Sequence, residues 1–119
     1  MAAPNLKNPT TITGKTARYA VTTSIAAALS NAASSGKVLK INSILCANVD
    51  GTNSADISVS IYNGTTDFYI TKTITVPADA TQILSTKDTY FYLEEGDSIR
   101  ALASAAGDLE LVIGYEEIA

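Results

Sequence analysis

Hydrophobic and polar residues alternate with a period of two along most of the chain after residue 17. This period is typical of half-buried strands, and the enrichment in Val, Ile, Thr and Tyr agrees with it. In residues 37–49 the pattern predicts one inward face that carries Leu39, Ile41, Leu45, Ala47 and Val49. Equivalent faces follow at Ile57, Val59 and Ile61, at Phe68, Ile70, Ile74 and Val76, and at Leu109, Leu111, Ile113 and Tyr115.

Turn signals separate these runs at regular intervals, in "NAASSGK", "DGTNSAD", "NGTTD", "VPADAT", "EEGDS" and "SAAGDL". Short strands separated by turns at such regular spacing favour a β-sandwich or barrel. Strands are predicted near 17–22, 24–30, 38–49, 56–62, 67–76, 82–93 with a break near Thr86, 97–104 and 109–117. We therefore predict an all-β protein, a single antiparallel β-sandwich of about seven or eight strands that resembles a jelly roll.

The segment "TTSIAAALSNAASS" is ambiguous, because alanine favours a helix. Its flanking Thr and Ser residues are poor in helix interiors and the segment is short. A strand is the favoured interpretation.

Residues 1–16 lack the alternation and contain Pro4 and Pro9, which fix φ and remove backbone donors. They predict an extended N-terminal arm, followed by one sandwich domain at 17–119. In an isolated monomer a disordered terminus is an equal alternative. In an assembly such an arm would dock on a neighbour, with Leu6, Pro9 and Ile12 as the expected interaction residues.

Composition narrows the possible functions. The chain has 119 residues, is 46% hydrophobic, and suits one domain with one core. It has no histidine and only Cys46, which excludes an intramolecular disulfide, histidine-dependent triads and Cys/His zinc sites. Cys46 is expected to pack as a small apolar residue. No catalytic residues and no cofactor are expected, and an enzyme is disfavoured.

Eight basic and twelve acidic residues give a formal charge of −4. The basic residues are scattered and form no cluster of the kind that nucleic-acid binding requires, and no apolar run is long enough to span a membrane. The N-terminus lacks the apolar region of a secretory signal, so synthesis in a cytoplasm is the simplest expectation.

The segment "DGTNSAD" raises the question of a cation site, since Asp50, Thr52, Ser54 and Asp56 place oxygen atoms at alternate positions. However, Asp-Gly marks a tight turn and the distal glutamate of a calcium loop is missing. A turn in which Asp50 caps the backbone is the preferred interpretation. No metal site is therefore predicted.

Three further features have both a structural and a functional interpretation. Asn63-Gly64 is a strong hairpin signal, and its glycosylation sequon is expected to stay unused. Glu94, Glu95 and Asp97 could act as paired carboxylates, but a solvated turn is favoured. The tyrosines could form a sugar- or peptide-binding surface, although stabilising cross-strand pairs are favoured. These tyrosines are Tyr62, Tyr69, Tyr90 and Tyr92.

The order of the strand and turn motifs between residues 30 and 118 resembles small β-sandwich virion proteins of tailed bacteriophages. The motifs lie at 36–44, 47–52, 74–78, 93–103 and 107–118, beginning with "GKVLKINSI" and "ANVDGT" and ending with "GDLELVIGYEEI". The resemblance implies a non-enzymatic structural protein in the virion, made in the host cytoplasm, and offers no catalytic residues.

That resemblance leaves the position in the particle open. A capsid decoration or cement protein is the first hypothesis, with the major capsid protein or neck or tail proteins as partners and a homo-oligomer expected. A neck or tail accessory protein is the first alternative. A carbohydrate- or receptor-binding sandwich, with or without calcium at Asp50 and Asp56, is the second.

Overall fold

The computed structural model describes residues 4–119, which form nine β-strands and one short 3-10 helix at Lys87–Thr89. The strands are β1 (Ile12–Ala20), β2 (Ala26–Ser30), β3 (Val38–Asn48), β4 (Ala55–Tyr62), β5 (Asp67–Val76), β6 (Thr81–Ser85), β7 (Phe91–Leu93), β8 (Ser98–Ala103) and β9 (Leu109–Ile118). The Ala-rich segment is a strand, β2, as favoured. Within residues 4–119 no helix is long and apolar enough to cross a membrane.

The strands form two antiparallel sheets. Sheet A has the order β1-β9-β3-β6, with β7 also paired to β3, and sheet B has the order β2-β8-β4-β5. β6 and β7 follow each other along the same side of β3, and the 3-10 helix interrupts them where a break was predicted. Counted as one strand, they complete an eight-stranded jelly roll of two packed sheets. The predicted all-β sandwich is confirmed.

The core lies between the two sheets and consists of aliphatic side chains. Its largest fully buried members are Ile41, Ile44, Ile57, Leu93, Ile99, Leu109, Leu111 and Ile113. They come from β3, β4, β7, β8 and β9, so both sheets contribute. Burial of each such side chain contributes roughly 1.5–3 kcal/mol of transfer free energy, which makes this layer the main source of stability.

The predicted inward face of β3 is wrong in its second half, where it contained Leu45, Ala47 and Val49. The pairing of β3 with β9 shifts between Ile41 and Ser43, which marks a bulge. One extra residue reverses the direction of every later side chain. Ile44 and Cys46 therefore point into the core and are fully buried, whereas Val49 is half exposed.

Candidate functional site

The three predicted interaction residues lie at one corner of sheet A. Leu6 is 48% exposed and Ile12, the first residue of β1, is 59% exposed. Pro9 is half-buried. Together these side chains give the corner apolar surface that is available for contact with another molecule.

Backbone hydrogen bonds hold the segment that precedes β1. The Asn5 side chain accepts a hydrogen bond from the Lys7 N–H at 3.0 Å, which forms a local turn. The N–H groups of Thr10 and Thr11 both donate to the Ala119 carbonyl oxygen, at 2.7 and 3.0 Å. Leu6 and Pro9 are therefore presented by a segment that is fastened to the C-terminus.

The boundary between arm and sandwich was placed after residue 16. Residues 12–16 form the first half of β1, and Met1–Ala3 lie outside the described residues. All five residues of 12–16 are exposed, so this half of β1 contributes little to the core. Docking of this corner on a neighbouring molecule stays a prediction.

Charge attraction supports the pairing of β1 with β9. Lys15 of β1 lies 3.3 Å from the Glu117 carboxylate of β9, and Lys37 lies 3.4 Å from it. Burial by itself raises the pKa of Glu117, but the two lysines outweigh it and hold that pKa below its ordinary value. The attraction has a sequence origin, because all twelve acidic residues follow position 49 and five of the eight basic residues precede it. This asymmetry is the signal in the sequence that could have placed β1 beside an acidic strand.

A polar cluster on the outer face of sheet B was missed by sequence reasoning. Arg100 donates two hydrogen bonds to the Asp67 carboxylate, at 3.0 and 2.6 Å. The fully buried Ser60 hydroxyl donates to the same carboxylate at 2.7 Å, and the Arg100 guanidinium stacks 3.9 Å from the Tyr62 ring centre. The hydrogen bond from Arg100 is the main cause that holds the pKa of Asp67 below its ordinary value. The polar groups of these four residues bind one another, so the cluster stabilises the sheet.

Two of the other three candidate tyrosines, Tyr69 and Tyr90, also have a cation against the ring. Lys72 lies 4.8 Å from the centre of the Tyr69 ring, and Lys40 lies 4.5 Å from that of Tyr90. Tyr90 in turn contacts Tyr92 edge to face, with ring centres 5.8 Å apart. Stacking of a sugar needs an open aromatic face, and three of the four tyrosines have a cation on one face. The arrangement favours the structural interpretation of the tyrosines.

The Asp50 carboxylate caps its own loop. It accepts hydrogen bonds from the N–H groups of Thr52 and Asn53, at 2.8 and 3.2 Å. These two bonds are the main reason why the pKa of Asp50 lies below its ordinary value. Asp56 instead accepts a hydrogen bond from the Thr75 hydroxyl at 2.7 Å. The capped turn is confirmed, and no group of three His, Cys, Asp or Glu side chains within residues 4–119 could hold a metal ion.

The two remaining turns follow their predicted structural interpretations. Asn63 and Gly64 begin the connection of the β4–β5 hairpin, with Gly64 at a φ of 94°. Gly96 also has a positive φ, 87°, in the turn where the Asp97 N–H donates to the Glu94 carbonyl oxygen at 3.0 Å. The Glu95 carboxylate accepts a hydrogen bond from the Gly36 N–H at 3.3 Å, which ties this turn to another loop.

Comparison with known proteins leaves the family open. No family model and no curated protein matches the chain. Among solved structures, the chain is similar to a pentameric capsid protein isolated from metagenomic phage sequences, with a TM-score of 0.42 and 13% sequence identity. The similarity covers 87% of this chain and 60% of that one, so this chain spans less than two thirds of its length. A TM-score of 0.42 does not establish a common fold, so the similarity decides neither fold nor function.

Proposed function

We propose that this protein is a non-enzymatic structural protein of a tailed-phage virion, and more specifically a capsid decoration protein. The observation that carries the proposal is the corner of sheet A at which Leu6 and Ile12 are exposed beside a strand edge. Such a corner suits contact with another protein surface. The major capsid protein is the proposed partner.

The fold supports the proposal at the level of analogy. Two-sheet jelly rolls occur in viral capsid proteins, and also in lectins and cupins. A fold alone does not select among these functions, which differ in the side chains that their surfaces present. The tyrosines are contacted by lysine and arginine side chains, which weakens the sugar-binding alternative.

The N-terminal segment would dock at a reduced entropic cost. Ordering a free residue costs roughly 1–2 kcal/mol of backbone entropy. Residues 10 and 11 already hydrogen bond to Ala119 in the isolated chain, so part of that cost is met before docking. Burial of Leu6 and Ile12 against a partner would then contribute to binding, at about 25 cal/mol per Å² of apolar surface.

The proposal is tested by the copy number of the protein in purified phage particles. Mass spectrometry would measure its ratio to the major capsid protein. A ratio comparable with that of the major capsid protein supports decoration, whereas a small fraction supports a neck or tail location. Absence from particles would contradict the virion role and favour a receptor-binding module.

A paired variant tests the docking corner itself. Leu6→Asp should reduce incorporation into particles at least tenfold, because a buried carboxylate at an apolar contact is strongly unfavourable. Val49→Asp is the matched control, since Val49 is 52% exposed and directly follows β3, at the end of sheet A opposite to Ile12. Equal incorporation of both variants would place the contact elsewhere.

A further inference from the structure

The edges of the two sheets differ in regularity. The pairing of β2 shifts between Ala27 and Leu29, and the pairings of β5 and β6 also contain shifts. Bulges of this kind protect sheet edges from pairing with other chains. β1 pairs with β9 over nine consecutive residues without a shift. Within residues 4–119, β1 is therefore the long edge strand without a bulge.

The hydrogen-bonding direction of β1 follows from its two ends. Thr11 exchanges hydrogen bonds with Ala119, and the Val21 N–H donates to the Leu109 carbonyl oxygen. The direction of the backbone N–H and C=O groups alternates along a strand of an antiparallel pair. The backbone groups of the odd-numbered residues of β1 therefore hydrogen bond to β9. The even-numbered residues direct N–H and C=O groups to the open edge of sheet A. They are Ile12, Gly14, Thr16, Arg18 and Ala20.

We propose that β1 pairs with β1 of a second copy, antiparallel, across a two-fold axis at Thr16. This register uses the full length of both strands and places Lys15 opposite Ala17 and Arg18 opposite Gly14. Ile12 then lies opposite Ala20. Each charged or bulky side chain faces a smaller one, so the strand is self-complementary, as a two-fold interface requires.

The competing registers are less favourable. The hydrogen bonds between the two copies form only in registers that place even-numbered residues of one β1 opposite even-numbered residues of the other. An axis at Lys15 places Lys15 opposite Lys15 of the second copy, and an axis at Arg18 does the same for Arg18. Like charges directly opposite each other are destabilising. Every register that is not centred on Thr16, including those centred on Gly14 and Ala17, leaves part of each strand unpaired. In the register centred on Thr16, Lys15 also keeps its ion pair with Glu117.

The size of the contact suits a specific dimer. Five residues on each strand, each with one donor and one acceptor, give about ten backbone hydrogen bonds, which is the number in a standard protein interface. The two copies of sheet A would become one continuous sheet. This pairing is a property of the free protein, so its failure would leave the proposed virion role untouched.

Sedimentation velocity of the purified protein provides the first test. We expect a dimer at about 100 µM, well above a micromolar Kd. Thr16→Pro removes an N–H at the open edge and leaves the β1–β9 hydrogen bonds in place, so it should give a monomer. Thr16→Val keeps the N–H and should remain a dimer. A monomeric wild type at this concentration would overturn the proposal.

Disulfide trapping tests the register and does not depend on the folding of the proline variant. Thr16→Cys would place two cysteines in a hydrogen-bonded pair, with Cα atoms about 5.5 Å apart, within the range of a disulfide. Arg18→Cys is the matched control on the same face, where the two cysteines would lie about 13 Å apart along the strands. Cys46 is buried and should not interfere. We expect cross-linking of Thr16→Cys alone, and equal or absent cross-linking of both variants would overturn the register.

Discussion

The side chain of Asn48 connects loops of the sandwich by hydrogen bonds, so a substitution there tests how much these bonds stabilise the fold. Its side chain is buried and makes three hydrogen bonds at the end of β3. The amide donates to the carbonyl oxygens of Asn53 and Val76, both at 3.0 Å, and its oxygen accepts from the Asp50 N–H at 2.9 Å. One side chain therefore joins the β3–β4 connection to the end of β5. Asn48→Ala would release all three contacts together.

The expected loss of stability follows from these contacts. The Val76 carbonyl oxygen is in a buried hydrogen bond, so leaving it without this donor costs about 1–3 kcal/mol. The two partly buried bonds contribute about 0.5–1.5 kcal/mol each. The sum of the central values is about 4 kcal/mol, which corresponds to a fall in Tm of roughly 16 °C for a domain of this size.

Urea denaturation followed by circular dichroism measures this loss. With an m-value of about 2 kcal/mol/M, the midpoint should fall by roughly 2 M. Asn42→Ala is the matched control, because Asn42 is half-buried and its amide makes a single hydrogen bond, to Glu116 at 3.0 Å. That variant should lose about 1.5 kcal/mol, the lower end of the range for a hydrogen bond to a charged group, because the bond is only partly buried. Equal losses in the two variants would refute the role given to Asn48.

Three further predictions concern ionisable groups. The pKa of Asp67 is lowered mainly by the hydrogen bond from Arg100. The stabilisation that the Asp67 carboxylate provides is therefore complete above the unfolded pKa of about 3.9 and is lost as pH falls through the folded pKa. Urea midpoints measured from pH 6 down to pH 2 should fall less steeply for Asp67→Asn than for wild type. Burial raises the pKa of the Cys46 thiol to about 11, so a thiol reagent at pH 8 should modify it far more slowly in the native protein than in urea, and equal rates would contradict its burial. Calcium and EDTA should leave the Tm unchanged, because the Asp50 carboxylate already caps backbone N–H groups; a calcium-dependent rise in Tm would revive the cation hypothesis.

The cluster on the outer face of sheet B illustrates why a site can escape sequence reasoning. Asp67 and Arg100 are 33 residues apart in the chain and meet only because β5 and β8 both pair with β4. Nothing in the local pattern of either residue indicates the other. Ser60, one of their partners, even alternates as an ordinary polar strand residue. Contacts of this kind depend on strand order, and the alternation of polar and apolar residues along a single strand does not determine that order.

Strand positions were determined locally by the sequence. Alternation with a period of two, and turns at Asn63-Gly64 and Gly96, placed the strands because both depend on neighbouring residues alone. The break predicted near Thr86 lies between β6 and β7, where Thr86 caps the 3-10 helix by accepting a hydrogen bond from the Asp88 N–H. The predicted fold class followed from these local features.

Tertiary structure alone decided the remaining features. The bulge before Ser43 is a property of the pairing between β3 and β9, so the sequence of β3 could not show that Ile44 and Cys46 point inward. The same holds for β1, whose first half was assigned to an arm because residues 1–16 lack alternation and contain Pro4 and Pro9. In the structure residues 12–16 belong to β1 and are exposed. Its place at the edge of sheet A depends on β9, about a hundred residues later, and on charges that only the fold brings together. Local chemistry sets where strands form, whereas long-range pairing sets which faces and edges remain free.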